Sequence, residues 1–186
     1  MPVKTCIVLG GAQCVWDDLE QAKEFGPFDA TIAINDMLAH YSGEIDFAVS
    51  LHPEKYSEWM AGRDAKGYQR PKVFVAHDGN TQMGRNGAFP VDIVIDYRWP
   101  GMSSSGSSGL FAVKVAMEQG FDRIVLCGVP MDGAQSHFFD RTPWSEVNAF
   151  TEAWSIANPI IRDVTRSMSG QTKEWLGYPT LDWLKP

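Results

Sequence analysis

Six short apolar runs rich in β-branched residues recur along the chain, and this repetition is the feature that most constrains the fold. They occupy residues 3–9, 30–34, 46–51, 72–76, 91–95 and 122–127. Helix-like segments lie between several of them, at about 16–25, 36–41, 53–61 and 108–119. Strands that alternate with helices are typical of a parallel α/β sheet, and near-continuous apolar strands indicate a sheet covered on both faces. The pattern predicts a single doubly wound, mainly parallel sheet of the Rossmann-like type, with helices on both faces.

The C-terminal segment of residues 145–186 is of a different kind, helical at first and then rich in Trp. Residues 145–166 predict a helix interrupted near Pro159, because proline lacks the amide hydrogen that a helix interior uses. The tail carries Trp175, Tyr178 and Trp183, which we expect to dock on the body of the domain or to form an oligomer interface. A chain of 186 residues has the usual size of one domain. We therefore predict one domain over 1–186 and leave a homo-oligomer open.

Composition narrows the range of partners. The net charge of −7 and the pI of about 5.0 predict no broad nucleic-acid binding, because such binding depends on Lys and Arg that neutralise phosphates. No apolar run approaches the roughly 18 to 20 residues that a membrane span needs. The three cysteines, Cys6, Cys14 and Cys127, have no CxxC spacing, which disfavours a disulfide framework and a cysteine zinc site. We expect no membrane partner and a cytoplasmic location.

Polar or glycine residues follow every predicted strand. They are Gly10 and Gly11, Asn35 and Asp36, His52, His77 and Asp78, Asp96, and Gly128 with Asp132. In open parallel sheets, ligands bind outside the carboxyl ends of the strands. The alternative interpretation of any single residue is that loops are polar and that Asx side chains cap helices. Taken as a set, these residues predict a ligand site at the carboxyl edge of the sheet.

The stretch GMSSSGSSG at residues 101–109 leads directly into a predicted helix. It matches the P-loop spacing except that Ser107 stands where the lysine would be, which disfavours an ATPase of that class. A glycine-rich turn with hydroxyls at a helix N-terminus can still hold a phosphate or carboxylate. An ordinary capped loop and a flexible linker are the alternatives, although a helix and a core strand follow too closely for a linker. The Gly10 and Gly11 turn lacks the GxGxxG fingerprint and is either a second anion site or a plain tight turn.

The order of these features resembles a known superfamily. A glycine loop followed by Asp17 and Asp18, an Asn after the second strand, and SSGLFAVKVAMEQGFDRIVLCGVPMD at 107–132 carry the resemblance. The superfamily includes the bacterial sialyltransferases that use CMP-sialic acid and the 6-hydroxymethylpterin diphosphokinase-like proteins, some of them phage-encoded. The resemblance is loose over 1–52 and clearer over 103–132.

The resemblance implies a nucleotide site built from several segments. Nucleotide phosphates or base would lie near Gly10, Gly11 and Asn35, with Asp36 beside them. The nucleotide or its sugar would lie near Ser107, Ser108 and Gly109. The sialyltransferases also place a catalytic histidine downstream of the clearer segment, where this chain has His137.

Transfer from a nucleotide donor needs a general base near neutral pH, and histidine is the usual choice. His137, in the polar loop DGAQSHFFD, is the candidate base, and Asp132 at the start of that loop is a second candidate catalytic residue. A surface or core-packed histidine is the alternative. His52, His77 and Arg85 are candidate substrate-binding residues.

The histidines have no metal-ligand spacing, so no metal ligands are assigned. The cofactor is also unassigned. Mg²⁺ remains an option, held through water around a diphosphate by Asp36, Asp78, Asp96 and Asp132.

The leading hypothesis is therefore a nucleotide-dependent transferase, which moves either a glycosyl group from a nucleotide sugar or a diphosphate from a nucleoside triphosphate. The residues alone do not choose between these two. The alternatives are a non-catalytic nucleotide-binding sensor or sponge, and a phage structural or assembly protein that retains the fold.

Overall fold

The computed structural model describes residues 2–78, 89–103, 106–141 and 143–185. In this part of the chain, seven strands form one sheet: β1 (Thr5–Leu9), β2 (Ala30–Ile34), β3 (Phe47–Val49), β4 (Val73–His77), β5 (Ile93–Ile95), β6 (Arg123–Cys127) and β7 (Thr165–Ser167). Their order is β5-β4-β3-β2-β1-β6-β7, and every neighbouring pair is parallel. All six predicted strands are present, and the predicted α/β parallel fold is confirmed.

Six α-helices connect and cover the described strands. They are α1 (Val15–Ala22), α2 (Met37–His40), α3 (Tyr56–Ala65), α4 (Ser108–Glu118), α5 (Val147–Ile161) and α6 (Gly170–Leu176). A 3-10 turn over Lys23–Phe25 extends α1, and another over Pro53–Lys55 leads into α3.

The two faces of the sheet hold two separate cores. Successive β1 residues alternate between them: Cys6 and Val8 pack with α4 and α5, whereas Ile7 and Leu9 pack with α1, α2 and α3. This alternation follows from the period of two along a strand. Because both faces are covered, the strands are apolar almost throughout, which is the pattern that identified them in the sequence.

The C-terminal segment departs from the predicted interrupted helix. Helix α5 continues through Pro159 and ends at Ile161, so the helix does not resume to residue 166. Residues Thr165–Ser167 instead form β7, which pairs with the free edge of β6. The tail packs on the domain, where the guanidinium carbons of Arg166 and Arg123 lie 4.7 and 5.4 Å from the centre of the Trp183 ring. Cation–π contacts of this kind hold the tail against the sheet edge.

Candidate functional site

A cleft opens at the point where the strand order reverses. From β1 the chain builds the sheet outward through β2 to β5, and it then returns to add β6 on the other side of β1. The topological switch point of the sheet therefore lies between β1 and β6, which is where open α/β sheets bind ligands. The residues that line this cleft are Gly11, Ala12, Ile34, Asn35, Ser107, Ser108, Gly109, Gly128, Val129, Pro130, Gln135, Ser136, His137 and Trp144.

The glycine turn after β1 forms one wall of the cleft, and most of its amides are already used. The amides of Gly10, Ala12 and Gln13 donate to the carbonyls of Cys127, Gly128 and Ser136 respectively, over 2.8, 3.2 and 2.9 Å. Gly11 lines the cleft, but Gly10 lies beneath it, where a Cβ would come within 2.3 Å of the Gly128 carbonyl oxygen. Because Gly10 has no side chain, the turn after β1 can lie directly against the turn after β6.

The segment after β6 forms a second wall, and a buried carboxylate fixes it. Asp18 in α1 is only 4% exposed, and its Oδ2 accepts from the Gly128 amide at 2.8 Å and from the Ser169 hydroxyl at 2.7 Å. Its position in the first turn of α1 adds the favourable field of the helix N-terminus. Asp18 thus ties α1 to the exit of β6 and to the start of α6.

Helix α6 holds the same wall from the other side. The Thr172 hydroxyl donates to the Val129 carbonyl at 2.6 Å, and the Thr172 amide donates to the Pro130 carbonyl at 3.2 Å. Thr172 is fully buried. Buried carbonyls need such partners, so Thr172 fixes the path of the cleft wall.

The N-terminus of α4 supplies the polar floor of the cleft. Ser107 is the N-cap, and its Oγ accepts from the Leu110 amide at 3.3 Å and from the Trp154 indole at 3.1 Å. The Ser108 Oγ accepts from the Leu51 amide at 3.2 Å. In these contacts each hydroxyl acts as an acceptor, so none of the bonds uses the hydroxyl hydrogen, which can be donated to another oxygen.

The backbone of α4 adds further donors at the same place. The first amides of any helix lack an acceptor within the helix, and the helix dipole favours negative charge there. Gly109 lies in this first turn and packs closely, since a Cβ would come within 2.7 Å of Val129 Cγ1. Ser107, Ser108 and Gly109 together suit a ligand oxygen that carries negative charge.

Asn35 completes the floor from the end of β2. It has a φ of +52°, a left-handed conformation that Asn tolerates better than most residues. Its Oδ1 accepts from the buried Ser50 hydroxyl at 2.7 Å, and Ser50 in turn accepts from the His52 amide at 2.8 Å. This chain of bonds orients the side chain and presents the Nδ2 hydrogens as donors.

The loop after β6 returns over the cleft and brings His137 to it. Residues Ala12 and His137 form an antiparallel bridge, and the Phe138 amide donates to the Gly11 carbonyl at 3.1 Å. The His137 ring stacks on Phe139 with the ring centres 4.9 Å apart and 12° between the planes. The Nδ1 of His137 lies 3.7 Å from Asp140 Oδ1, and the side chain is 37% exposed. His137 is therefore held in place and remains accessible.

Other residues predicted from the sequence lie outside this lining. The Asp36 carboxylate accepts from the Trp59 indole at 3.2 Å, and Asp132 accepts from the Ala134 amide at 2.9 Å. His52 is exposed, and its Nδ1 lies 3.1 Å from Glu54 Oε1. Arg85 lies outside the described residues.

His77 lies close to the cleft floor without lining it. Its Nε2 donates to the Leu51 carbonyl at 3.1 Å, and Leu51 also donates to Ser108. Burial lowers the pKa of His77, because a charged imidazolium loses hydration there. His77 is therefore neutral at pH 7 and supports the position of Ser108.

The aspartates considered for Mg²⁺ are engaged elsewhere. Arg98 pairs with Asp96 at 2.8 Å and with Asp78 at 3.3 Å. Within the described residues, no three His, Cys, Asp or Glu side chains are grouped so that they could hold a metal ion.

Several residues of the cleft were not predicted from the sequence. Trp144, Gln135 and Ser136 belong to the same loop as His137. Their position in that loop was the only indication in the sequence that they could line the cleft. Asp18 and Thr172 shape the walls from distant parts of the chain. Thr172 belongs to no binding motif, and Asp18 was named only as part of the family resemblance, without a role in the cleft.

The fold and the cleft define an α/β protein of the Rossmann-like type with a candidate small-molecule site at its topological switch point. The sequence matches no family model and no curated protein, and the structure matches no solved structure. Among the described residues, no helix is both long enough and apolar enough to cross a bilayer.

Proposed function

We propose that the protein binds a nucleotide in the switch-point cleft and transfers a group from it to an acceptor. One observation carries this proposal: Gly11, Asn35, the Ser107 to Gly109 turn and His137 are far apart in sequence yet line one cleft. Each of these segments was expected to contact a nucleotide on other grounds, from strand exits or from the resemblance described above. The particular superfamily remains a prediction.

In this proposal, His137 acts as the general base. It accepts the proton of an acceptor hydroxyl, whose oxygen forms a bond to the anomeric carbon of a nucleotide sugar or to the β-phosphorus of a nucleoside triphosphate. The bond from that atom to the departing nucleotide oxygen breaks, and the negative charge moves onto the leaving nucleotide. The amides and hydroxyls at the N-terminus of α4 stabilise that charge, as preorganised donors do in other transferases.

A second candidate function is nucleotide binding without catalysis. The observation that favours it is the packing of His137, which bridges to Ala12 and stacks on Phe139. A histidine with these contacts has a structural role even if it never takes up a proton. Such a protein would act as a sensor or a sponge for a nucleotide.

The first experiment is a thermal-shift screen with CMP, CMP-sugars, ATP, GTP, NAD and cyclic dinucleotides, with and without Mg²⁺. We expect at least one nucleotide to raise the melting temperature, because a ligand that binds only the native state stabilises that state. If none does at millimolar concentration, both candidate functions are wrong.

The second experiment separates the two candidates. With the nucleotide identified, His137→Gln should lower turnover roughly 100-fold or more, the usual contribution of a general base, and should change nucleotide affinity little. His40→Gln is the matched control, since His40 packs on Phe138 and Phe139 from outside the cleft. Recovery of the intact nucleotide after incubation with a range of acceptor alcohols would instead favour the non-catalytic candidate.

A further inference from the structure

Trp144 is the large aromatic side chain of the cleft, and its surroundings fix it there. The bridge between Ser136 and Pro143 and the hydrogen bond from the Trp144 amide to the Gln135 carbonyl, at 3.3 Å, turn the chain back toward the cleft. The Trp144 side chain is half-buried and packs against the core on the α4 and α5 face. It is therefore held firmly, yet part of it borders the cleft.

The rings beside Trp144 are tilted against it. The ring centre of His137 lies 6.4 Å away with 46° between the planes, and that of Phe150 lies 5.9 Å away at 42°. Neither ring lies parallel to the indole, in contrast to the close stack of His137 on Phe139. A planar ligand group could therefore stack on the indole without displacing a parallel protein ring.

The cleft thus combines two kinds of recognition. Ser107, Ser108 and Gly109 offer hydrogen-bond donors to a charged oxygen, whereas Trp144 offers a flat apolar surface. A nucleotide has the same two-part chemistry, with a phosphate and a planar base. Base-on-aromatic stacking provides affinity for any base, because every base has a π-face.

We infer that Trp144 is the residue on which the base of the bound nucleotide stacks, an inference that rests on the proposed nucleotide site. Ligand affinity then divides into a phosphate part at the start of α4 and a base part at Trp144. A ligand that lacks the base should not depend on Trp144.

The test is isothermal titration of the whole chain with AMP, CMP, GMP, UMP and ribose 5-phosphate. We expect the best nucleoside monophosphate to lose roughly 5- to 150-fold in affinity on Trp144→Ala, the range that alanine substitution of a base-stacking aromatic gives. Ribose 5-phosphate should bind wild type and Trp144→Ala within about twofold of each other. Trp144→Phe should recover most of the affinity for the nucleotide, since it restores a flat ring.

Trp16→Ala is the matched control, because Trp16 is 40% exposed and packs on Phe138 of the same loop without lining the cleft. It should leave the nucleotide affinity unchanged. Melting temperatures of all variants identify any that fail to fold.

Three other outcomes would each overturn the inference, and the affinities measured distinguish them. If Trp144→Ala weakens ribose 5-phosphate as much as the nucleotide, or if Trp144→Phe behaves like Trp144→Ala, Trp144 shapes the cleft and does not stack on a base. If the nucleotide binds wild type and Trp144→Ala equally, the inference is wrong while the proposed nucleotide site stands. If wild type binds none of the four nucleotides, the inference is wrong, and if no nucleotide of the thermal-shift screen binds either, the proposed function fails with it.

Discussion

Replacing Ser107 by Ala should destabilise the protein more than the loss of a helix cap alone, because one oxygen serves two donors. The Ser107 Oγ accepts from the Leu110 amide at the start of α4 and from the indole of Trp154 in α5. Trp154 is 1% exposed, so water cannot replace the lost acceptor without a rearrangement of the core.

The magnitude follows from these two contacts. Loss of a serine N-cap costs about 1 kcal/mol. A buried donor left without an acceptor costs a further 1–3 kcal/mol or so. We therefore expect Ser107→Ala to lower the free energy of unfolding by about 2–4 kcal/mol. For a domain of this size, that corresponds to a fall of roughly 4–16 °C in melting temperature.

A double-mutant cycle with Trp154→Phe separates the two contributions. Phenylalanine has no N–H to leave unpaired, so Ser107→Ala in that background should cost only the cap, about 1 kcal/mol. Urea unfolding of the four proteins, followed by circular dichroism, measures the coupling free energy. An equal cost of Ser107→Ala in both backgrounds would refute the claim that Ser107 satisfies Trp154.

Three further predictions concern the walls of the cleft and its floor. Gly10→Ala should lower the free energy of unfolding by more than about 2 kcal/mol, whereas Gly11→Ala should change it by less than about 1 kcal/mol, as chemical denaturation can measure. The reason is that a Cβ at Gly10 would overlap the Gly128 carbonyl, while the nearest atom to a Cβ at Gly11 is 3.5 Å away. Thr172→Val should weaken both nucleotide binding and stability, because it leaves the buried Val129 carbonyl without its hydroxyl partner. Thr172→Ser keeps the hydroxyl and should retain both properties, as calorimetry can measure. Equal behaviour of the two variants would argue against this role. Burial lowers the pKa of His77 below its ordinary 6.5, so the unfolded chain takes up the proton more readily than the folded one. His77 therefore lowers the free energy of unfolding as the pH falls below about 6.5. The urea midpoint should drop less between pH 7 and pH 5 in His77→Gln than in wild type.

The sequence predicted the central strands well because they are buried on both faces. The run CIVL in β1 and the run RIVLC in β6 contain hardly any polar residues. This pattern favours a sheet that is covered by helices on both faces. Strand β7, with the sequence TRS, has no apolar run at all. It forms because the edge of β6 offers backbone partners, and backbone pairing leaves no mark on side-chain composition.

Strand ends predicted part of the cleft lining but were not sufficient, because Asp36 and His52 also follow strands and lie outside it. His137 and the Ser107 to Gly109 turn were predicted from a loop and from a helix start. Gly11 and Asn35 follow strands directly, so parallel pairing alone brings them to one edge. The approach of Trp144 depends on the path of a loop and on a bridge between Ser136 and Pro143. The contact of Asp18 with Gly128 joins positions 110 residues apart, and no local pattern encodes such a pairing.

Amide chemical-shift mapping can locate a nucleotide at the proposed site, the switch point between β1 and β6. A ¹⁵N-labelled sample is titrated with the nucleotide that gives the largest thermal shift. We predict that the largest saturable shifts occur at Gly11, Ser108, Gly109 and His137. The largest shifts in the groove beside α1, at Trp16 and its neighbours, or no saturable shift with any nucleotide, would contradict it.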